Sequence, residues 1–548
     1  MMNNYAQVIA RVTLRCALAT VAQAPLCLLL FSACGASAQN PILPPPPNYL
    51  LDQNLASSDG RVIFEHFVIK GNSVLQEALL AEIVKPYLGR SLAPQDLSQL
   101  RDQLTMAYVS RGYINSGALI KNNKPGDKTL NIEIIEGRIE HVYIQTNGRL
   151  KNRYIKQRLA IDSQQALNVN HLEKQLQILR QNARVDTLQA NLSPGESLGR
   201  SVLEVKVAEK RAYQWQLGLS NYESPSIGSQ LLRLGFEHNN ISGEGDEARL
   251  GLRKTEGLEA YDASYQRPLN ARDLSLFFNA QLADSRIVEA PFDSLDIESK
   301  SRSYALGVNY PITREIFSQF DLFMSFDSRR SESFLLGFPF SFSDGVEEGQ
   351  AKVSVLRIGQ SWRRSNQSLA LLLRSTFSFG LDALGATKNQ SGLADGQFIK
   401  WLWQAQLAKR LPWRGSKIIV RNELQWSDSP LLGLEKYSLG GHASVRGYRE
   451  NFQTGDRGFF ASVEWRVPLL SAAHKLDAAL FVDGGALRNR MRDRENQNLS
   501  SIGVGLHWRG SSKVELDFQW AKTSSTPTST SSNTLQDEGL HIGLRLKL

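Results

Sequence analysis

The chain has 548 residues and a mass of 61.2 kDa, more than one ordinary core holds. An apolar fraction of 42% with a mean hydropathy of −0.29 excludes a polytopic helical membrane protein. It leaves open a β-barrel, whose strands show lipid only every second residue. Charged residues make up 21% and are dispersed, with 63 basic against 54 acidic side chains (+9), which argues against a disordered polyelectrolyte.

Arg11 and Arg15 precede the apolar run Cys16–Ala33, and Ala36-Ser37-Ala38 follows it. This order of basic, apolar and small residues predicts a bacterial signal peptide over 1–38, cut after Ala38. The segment is short for a membrane anchor and Pro25 interrupts it; Phe31 makes Phe31-Ser32-Ala33-Cys34 a poor lipoprotein box. All three cysteines (Cys16, Cys27, Cys34) lie here, so the mature chain is expected to have no thiol, no disulfide and no Cys-ligated metal. Its charge would be 9 − 2 = +7. Residues 39–60 read as a linker, with Pro44–Pro47 favouring polyproline II and 48–56 long enough for a short helix only.

Residues 61–137 read as β-α-α-β-β. Val62–Ile69 is β-rich, Ala78–Leu88 is a helix stopped by Gly89, and Leu97, Leu100, Leu104 and Tyr108 mark a second helix ended by Gly112. Gly117–Lys121 and Thr129–Glu136 are strands across a turn at Lys124-Pro125-Gly126. Residues 138–210 repeat the order: a strand at His141–Gln145, a helix at Tyr154–Ile161, a helix capped by Asn170, and strands at Asp186–Leu192 and Ser201–Val207. A repeat of about 75 residues signals tandem small domains.

From Tyr213 the helical period gives way to alternation. Tyr213, Trp215, Leu217 and Leu219 oppose Gln214, Gln216, Gly218 and Ser220; the last run sets Leu540, Ile542, Leu544, Leu546 and Leu548 against His541, Gly543, Arg545 and Lys547. About sixteen such runs follow one another. A large β-sandwich or propeller also alternates. Aromatics at strand ends, a second face of charge and glycine, and the signal peptide favour a closed antiparallel barrel in a membrane. Chain entry from the periplasm puts loops after odd strands outside, and the long ones fall there: Asp327–Gln350, Asp382–Gln397, Ser427–Gly458 and the Ser/Thr tract Thr523–Thr534.

Gly195-Glu196-Ser197-Leu198-Gly199 fits the spacing of a serine nucleophile elbow, but Pro194 precedes it and a strand-period run follows, so it reads as a hairpin turn. No Walker loop, H-E-x-x-H or metal-spaced histidine cluster occurs in the sequence. The loop Ser427–Gly458 contains Gly440-Gly441-His442-Ala443-Ser444-Val445-Arg446-Gly447-Tyr448, tight glycine turns around one arginine. Downstream, Phe481-Val482-Asp483-Gly484-Gly485 lies in a strand whose other face is Leu476, Ala478, Leu480 and Val482, so Asp483 points into the lumen. Arg446 could pair with it bidentately; an ordinary loop arginine and a separately hydrated aspartate fit the same residues.

Val445-Arg446-Gly447-Tyr448, Phe481-x-Asp483-x-Gly485 and two small modules before sixteen strands resemble the two-partner secretion transporters, the TpsB family. The resemblance implies two periplasmic polypeptide-transport-associated (POTRA) domains, 61–137 and 138–210, before a sixteen-stranded transmembrane barrel over 211–548 in the outer membrane of a Gram-negative bacterium. It implies that the VRGY loop folds into the pore and that Arg446 meets Asp483. It further implies a transporter, not an enzyme, that needs no cofactor, metal or nucleic acid and carries one large unfolded exoprotein. The chain's own biogenesis would use the general secretion and barrel-assembly machinery, with lipid around it. Gly117, Ala118, Leu119, Ile120 and Lys121 are the candidate edge for capturing cargo by strand addition. An insertase for other barrels, a passive porin or receptor, and a transporter that also activates its cargo are the alternatives. The short 48–56 segment leaves a pore-plugging helix in doubt, and the terminal Leu548 is not the aromatic usual at outer-membrane C-termini.

Overall fold

A computed structural model describes residues 61–120, 128–389, 392–471, 474–490, 496–510, 513–524 and 534–548. The expected signal peptide with its cysteines, the linker, Lys121, the Lys124-Pro125-Gly126 turn and most of the Thr523–Thr534 tract lie outside them. The chain divides into two compact units that meet in sequence between Lys210 and Arg211.

The first unit holds two modules, each with its own core. In the first, β1 (Val62–Ile63), β2 (His66–Lys70), α1 (Glu77–Val84), β3 (Ser91–Leu92), α2 (Pro94–Val109), β4 (Gly117–Ile120) and β5 (Thr129–Ile135) follow in order. The sheet runs β2-β5-β4, with β2 parallel and β4 antiparallel to β5. Leu100, Leu104 and Tyr108 of α2 are fully buried, as their spacing predicts. The single strand expected over Val62–Ile69 is instead two, because Phe64 turns into the core and β1 pairs with β3.

The second module repeats this with β6 (Arg138–Thr146), α3 (Asn152–Leu159), α4 (Val169–Arg180), β7 (Val185–Pro194) and β8 (Arg200–Glu209), in sheet order β6-β8-β7. The cap of α4 is Asn168, not the expected Asn170: the Asn168 side chain accepts from the His171 amide at 3.2 Å, and Asn170 lies inside the helix. Residues 195–199 form the turn between β7 and β8, closed by Gly195 N–H donating to Arg200 O at 2.8 Å; no helix follows it.

The second unit is a closed antiparallel barrel of sixteen strands. They are β9 (Tyr213–Ser220), β10 (Leu231–His238), β11 (Glu247–Lys254), β12 (Leu258–Pro268), β13 (Ser275–Arg286), β14 (Ile297–Arg314) and β15 (Ser318–Leu335). After the short β16 (Phe338–Pro339) come β17 (Gln350–Ser365), β18 (Leu369–Leu381), β19 (Ile399–Arg410) and β20 (Lys417–Ser427). After two short strands of a loop, β21 (Tyr437–Leu439) and β22 (Gln453–Gly455), come β23 (Arg457–Ser471), β24 (Lys475–Arg488), β25 (Gln497–Arg509), β26 (Val514–Thr523) and β27 (Leu540–Lys547). Closure is made by β27 against β9, from Gly543↔Ser220 to Lys547↔Gln216.

Alternation sorts the two faces. In β24, Leu480 and Val482 are 54% and 57% exposed on the outer wall, while Phe481 and Asp483 are 2% and 1% exposed. The outer wall carries a band of exposed Trp, Tyr, Phe, Leu and Ile that water would not tolerate over such an area. No helix among the described residues is long and apolar enough to cross a membrane. The connections at 382–398, 428–456 and 524–539 are long and those at 315–317 and 366–368 short, on alternate ends. The loop expected to begin at Asp327 begins at 336: β14 and β15 are 18 residues each and stay paired well past the outer apolar band, to Ile297↔Leu335. The charged run Asp327–Glu332 hides that continuation from the sequence pattern.

Candidate functional site: a loop locked inside the barrel

The connection 428–456 between β20 and β23 folds inward. Its first limb buries Leu431, Leu432 and Leu434 against Val353 and Val355 of β17 and against Phe398. The β21–β22 hairpin then pairs Tyr437–Leu439 with Gln453–Gly455. Its tip turns at Gly440 and Gly441 (φ +105° and +106°) and presents the motif.

Arg446 is 1% exposed. Its Nε donates to Asp483 Oδ2 at 2.8 Å and its Nη2 to Asp483 Oδ1 at 2.9 Å, the bidentate fork expected from the sequence. Its amide donates to the same Oδ2 at 3.1 Å. Nη1 reaches Glu464 Oε2 at 2.5 Å and Nη2 reaches Ser462 Oγ at 3.3 Å. The guanidinium lies 3.3 Å from the centroid of Phe481, a cation–π contact. Arg466 also pairs with Glu464, and His507 approaches it at 3.7 Å.

The rest of the motif has steric reasons. Gly447 sits at φ +90°, and a Cβ there would stand 2.8 Å from the Ala521 carbonyl of β26. A Cβ on Gly485 would meet Leu439 of the loop at 2.7 Å. Val445 and Tyr448 are fully buried in one cluster with Leu439, Phe460, Leu487 and Leu499. All seven predicted residues, Val445 to Tyr448 with Phe481, Asp483 and Gly485, therefore meet at one place.

Three partners were not predicted. Glu464 and Ser462 lie on β23, where the register Ser462↔Asp483 sets them beside the aspartate; their lumen phase, opposite Val463 and Trp465, was the available signal. Glu435, on the first limb, meets Arg329, Arg357 and Lys400 at 2.7, 2.7 and 2.5 Å. Burial opposes its ionisation, but Arg357, Lys400 and Arg329 outweigh burial and hold the carboxyl well below the usual range. Beyond the motif, Arg449 clamps Asp537 at 2.5 and 2.8 Å and Glu289 at 2.8 Å. Glu450 accepts from the His442 amide at 2.6 Å. Tyr222 stacks on the His442 ring at 3.9 Å. No group of three or more His, Asp or Glu placed to hold a metal occurs among the described residues.

The other predicted residues belong to the first unit. Gly117–Ile120 is antiparallel to β5 with no strand beyond it among the described residues, the edge position expected. The edge is partly covered: the Ala118 amide donates to Thr105 Oγ1 of α2 at 3.1 Å.

A sixteen-stranded barrel whose lumen holds a loop locked by a buried arginine, preceded by small modules of two helices on a three-stranded sheet, defines a protein transporter of the bacterial outer membrane, with its POTRA region in the periplasm. Residues 199–508 match the family of haemolysin secretion/activation proteins ShlB/FhaC/HecB, and 62–137 match the ShlB-type POTRA domain. The chain belongs to that family and is a two-partner secretion transporter. Relatives include the outer membrane transporter CdiB of Escherichia coli O6:K15:H31 (strain 536 / UPEC), 24% identical over 78% of this chain and 73% of that one. The heme/hemopexin transporter protein HuxB of Haemophilus influenzae (strain 86-028NP) is 22% identical over 81% and 80%. The hemolysin transporter protein ShlB of Serratia marcescens is 23% identical over 76% and 74%. In fold, the chain matches CdiB from Escherichia coli with a TM-score of 0.68 at 22% identity, covering 94% of this chain and 95% of that one. CdiB from Acinetobacter baumannii matches with 0.63 at 18% identity, over 93% and 94%.

Proposed function

We propose that this chain carries one large unfolded exoprotein from the periplasm through its barrel to the cell surface, without ATP. The observation that carries this reading is the loop lodged in the lumen on Arg446, Asp483 and Glu464: a passive porin has no use for so costly a buried ion network, and a transporter needs a displaceable closure. The names of two relatives, a hemolysin transporter protein and a heme/hemopexin transporter protein, support a protein cargo. The second module, 138–210, is a second POTRA domain, since its sheet order repeats that of the first. Residues 1–38 are the signal peptide that sends the chain to the periplasm, where the barrel-assembly machinery inserts it among outer-membrane lipids. The reading requires no reacting group, metal or cofactor.

Cargo is captured by strand addition at Gly117–Lys121 beside α2, through main-chain bonds that demand no one sequence. The Arg446–Asp483 fork holds the loop in its transport-competent place, and folding outside biases the chain against sliding back. The test is deletion of the gene followed by an inventory of secreted and outer-membrane proteins. Loss of one large exoprotein from the medium, with other barrels unchanged, is the expected result. A general loss of outer-membrane barrels would make the chain an insertase, and no change in secretion would overturn the proposal.

A further inference from the structure

Besides the Arg449 clamp beyond the motif, two ion networks that share no side chain hold the loop in the lumen. One is the Arg446 tip on β23 and β24. The other is Glu435, which is 1% exposed and lies on the limb that leads to the tip. Glu435 Oε1 accepts from Arg329 Nη1 and Arg357 Nη2, and Oε2 from Lys400 Nζ. Lys400 Nζ and Gln425 Nε2 also donate to the Glu435 carbonyl, each at 3.1 Å. Arg329 donates to Leu434 O at 2.7 Å, and Arg357 Nε to Asp327 at 2.7 Å. The cations come from β15, β17 and β19, the same wall on which Leu431, Leu432 and Leu434 are buried. Three cations thus face two carboxylates, and without Glu435 they would face one. Between the two anchors lie Lys436, β21, the Gly440-Gly441 turn and residues 442–445.

The geometry points to Glu435 as a positioning residue for transport: it pins the limb 429–439 to the β15–β17–β19 wall, so that freeing Arg446 moves the tip and leaves the limb as fixed lining. This rests on the transporter reading. The limb's job is to set how much of the lumen opens when the tip leaves. A residue that served only to fold the barrel would not change the size of that opening.

The experiment measures single-channel conductance of the purified full-length chain in planar bilayers, which requires no cargo. The variants are Arg446→Ala, Glu435→Gln, the two combined, and Lys400→Met, each first checked for the heat-modifiable migration of a closed barrel. Arg446→Ala is expected to open a limited conductance. The combined variant should exceed it by about threefold or more, since the two networks share no side chain. Lys400→Met leaves Glu435 two arginine partners. Combined with Arg446→Ala, it should fall between, and it keeps the test alive if Glu435→Gln does not fold. A combined variant no more conductive than Arg446→Ala would overturn the inference. Export by Arg446→Ala cells tests the transporter reading separately, so the two can fail independently.

Discussion

Arg446 is a single guanidinium on which two strands and a loop converge, and its removal should act on the loop before it acts on the barrel. Breaking one partner of a buried pair costs about 3–5 kcal/mol, here through Asp483 left without its fork, while Glu464 keeps Arg466. Arg446→Ala is therefore expected to reach the outer membrane at the parental level and to lose most export, as read by exoprotein in the medium against barrel in the membrane fraction. Arg446→Lys keeps the charge but not the planar fork, and should export at an intermediate level. Gly447→Ala should impair export with the arginine intact, because its Cβ would meet the Ala521 carbonyl. Acid acts through Glu435. Its folded pKa lies well below the free value of about 4.3, so its contribution is full above that value and is lost as pH falls through the lower, folded one. Conductance of the Arg446→Ala channel should stay flat from neutrality down to the free carboxylate value and rise only at pH well below it. Alternation placed Asp483 in the lumen, and the VRGY resemblance paired it with Arg446. Glu435 was not legible, since its partners on β15, β17 and β19 share one patch of wall only through the registers of those strands, and the loop must fold inward to meet them.

At the scale of elements, the modules were read from helical spacing, and the burial of Leu100, Leu104 and Tyr108 follows it. Leu104→Ala should destabilise the first module by about 2–5 kcal/mol, the cost of a core cavity. Limited proteolysis of the whole protein would show it as cleavage within 61–137 with the barrel fragment intact. Element ends were harder to read. Asn168 and Asn170 are both plausible caps in sequence; packing decides, because Asn168 also donates to the Arg111 carbonyl at 2.9 Å and so ties α4 to the end of α2. The upper halves of β14 and β15 look like loop in sequence because beyond the outer apolar band both faces are polar, while the ladder of backbone bonds continues.

At the scale of the whole molecule, the barrel was the most legible feature, since period-2 alternation held over many runs leaves few other ways to satisfy every backbone group in lipid. Strand number followed from counting runs, and strand neighbours from the meander. Leu480 faces outward, and Leu480→Arg should lower folding into bilayers by about 2–4 kcal/mol if it lies near mid-membrane, measured as the fraction of heat-modifiable barrel across a urea series. What no local pattern carries is the way one loop joins distant parts of the chain. Arg449 reaches Glu289 and Asp537, and Gln536 donates to the carbonyls of Asn221 and Glu223 at 2.6 and 2.7 Å. These partners belong to the early and the final hairpins, which become neighbours only after the first and last strands have met. The Arg449 clamp must therefore be among the concluding events of biogenesis, and a half-built sheet would present Arg449, Glu289 and Asp537 apart from one another, open to whatever chaperone escorts it.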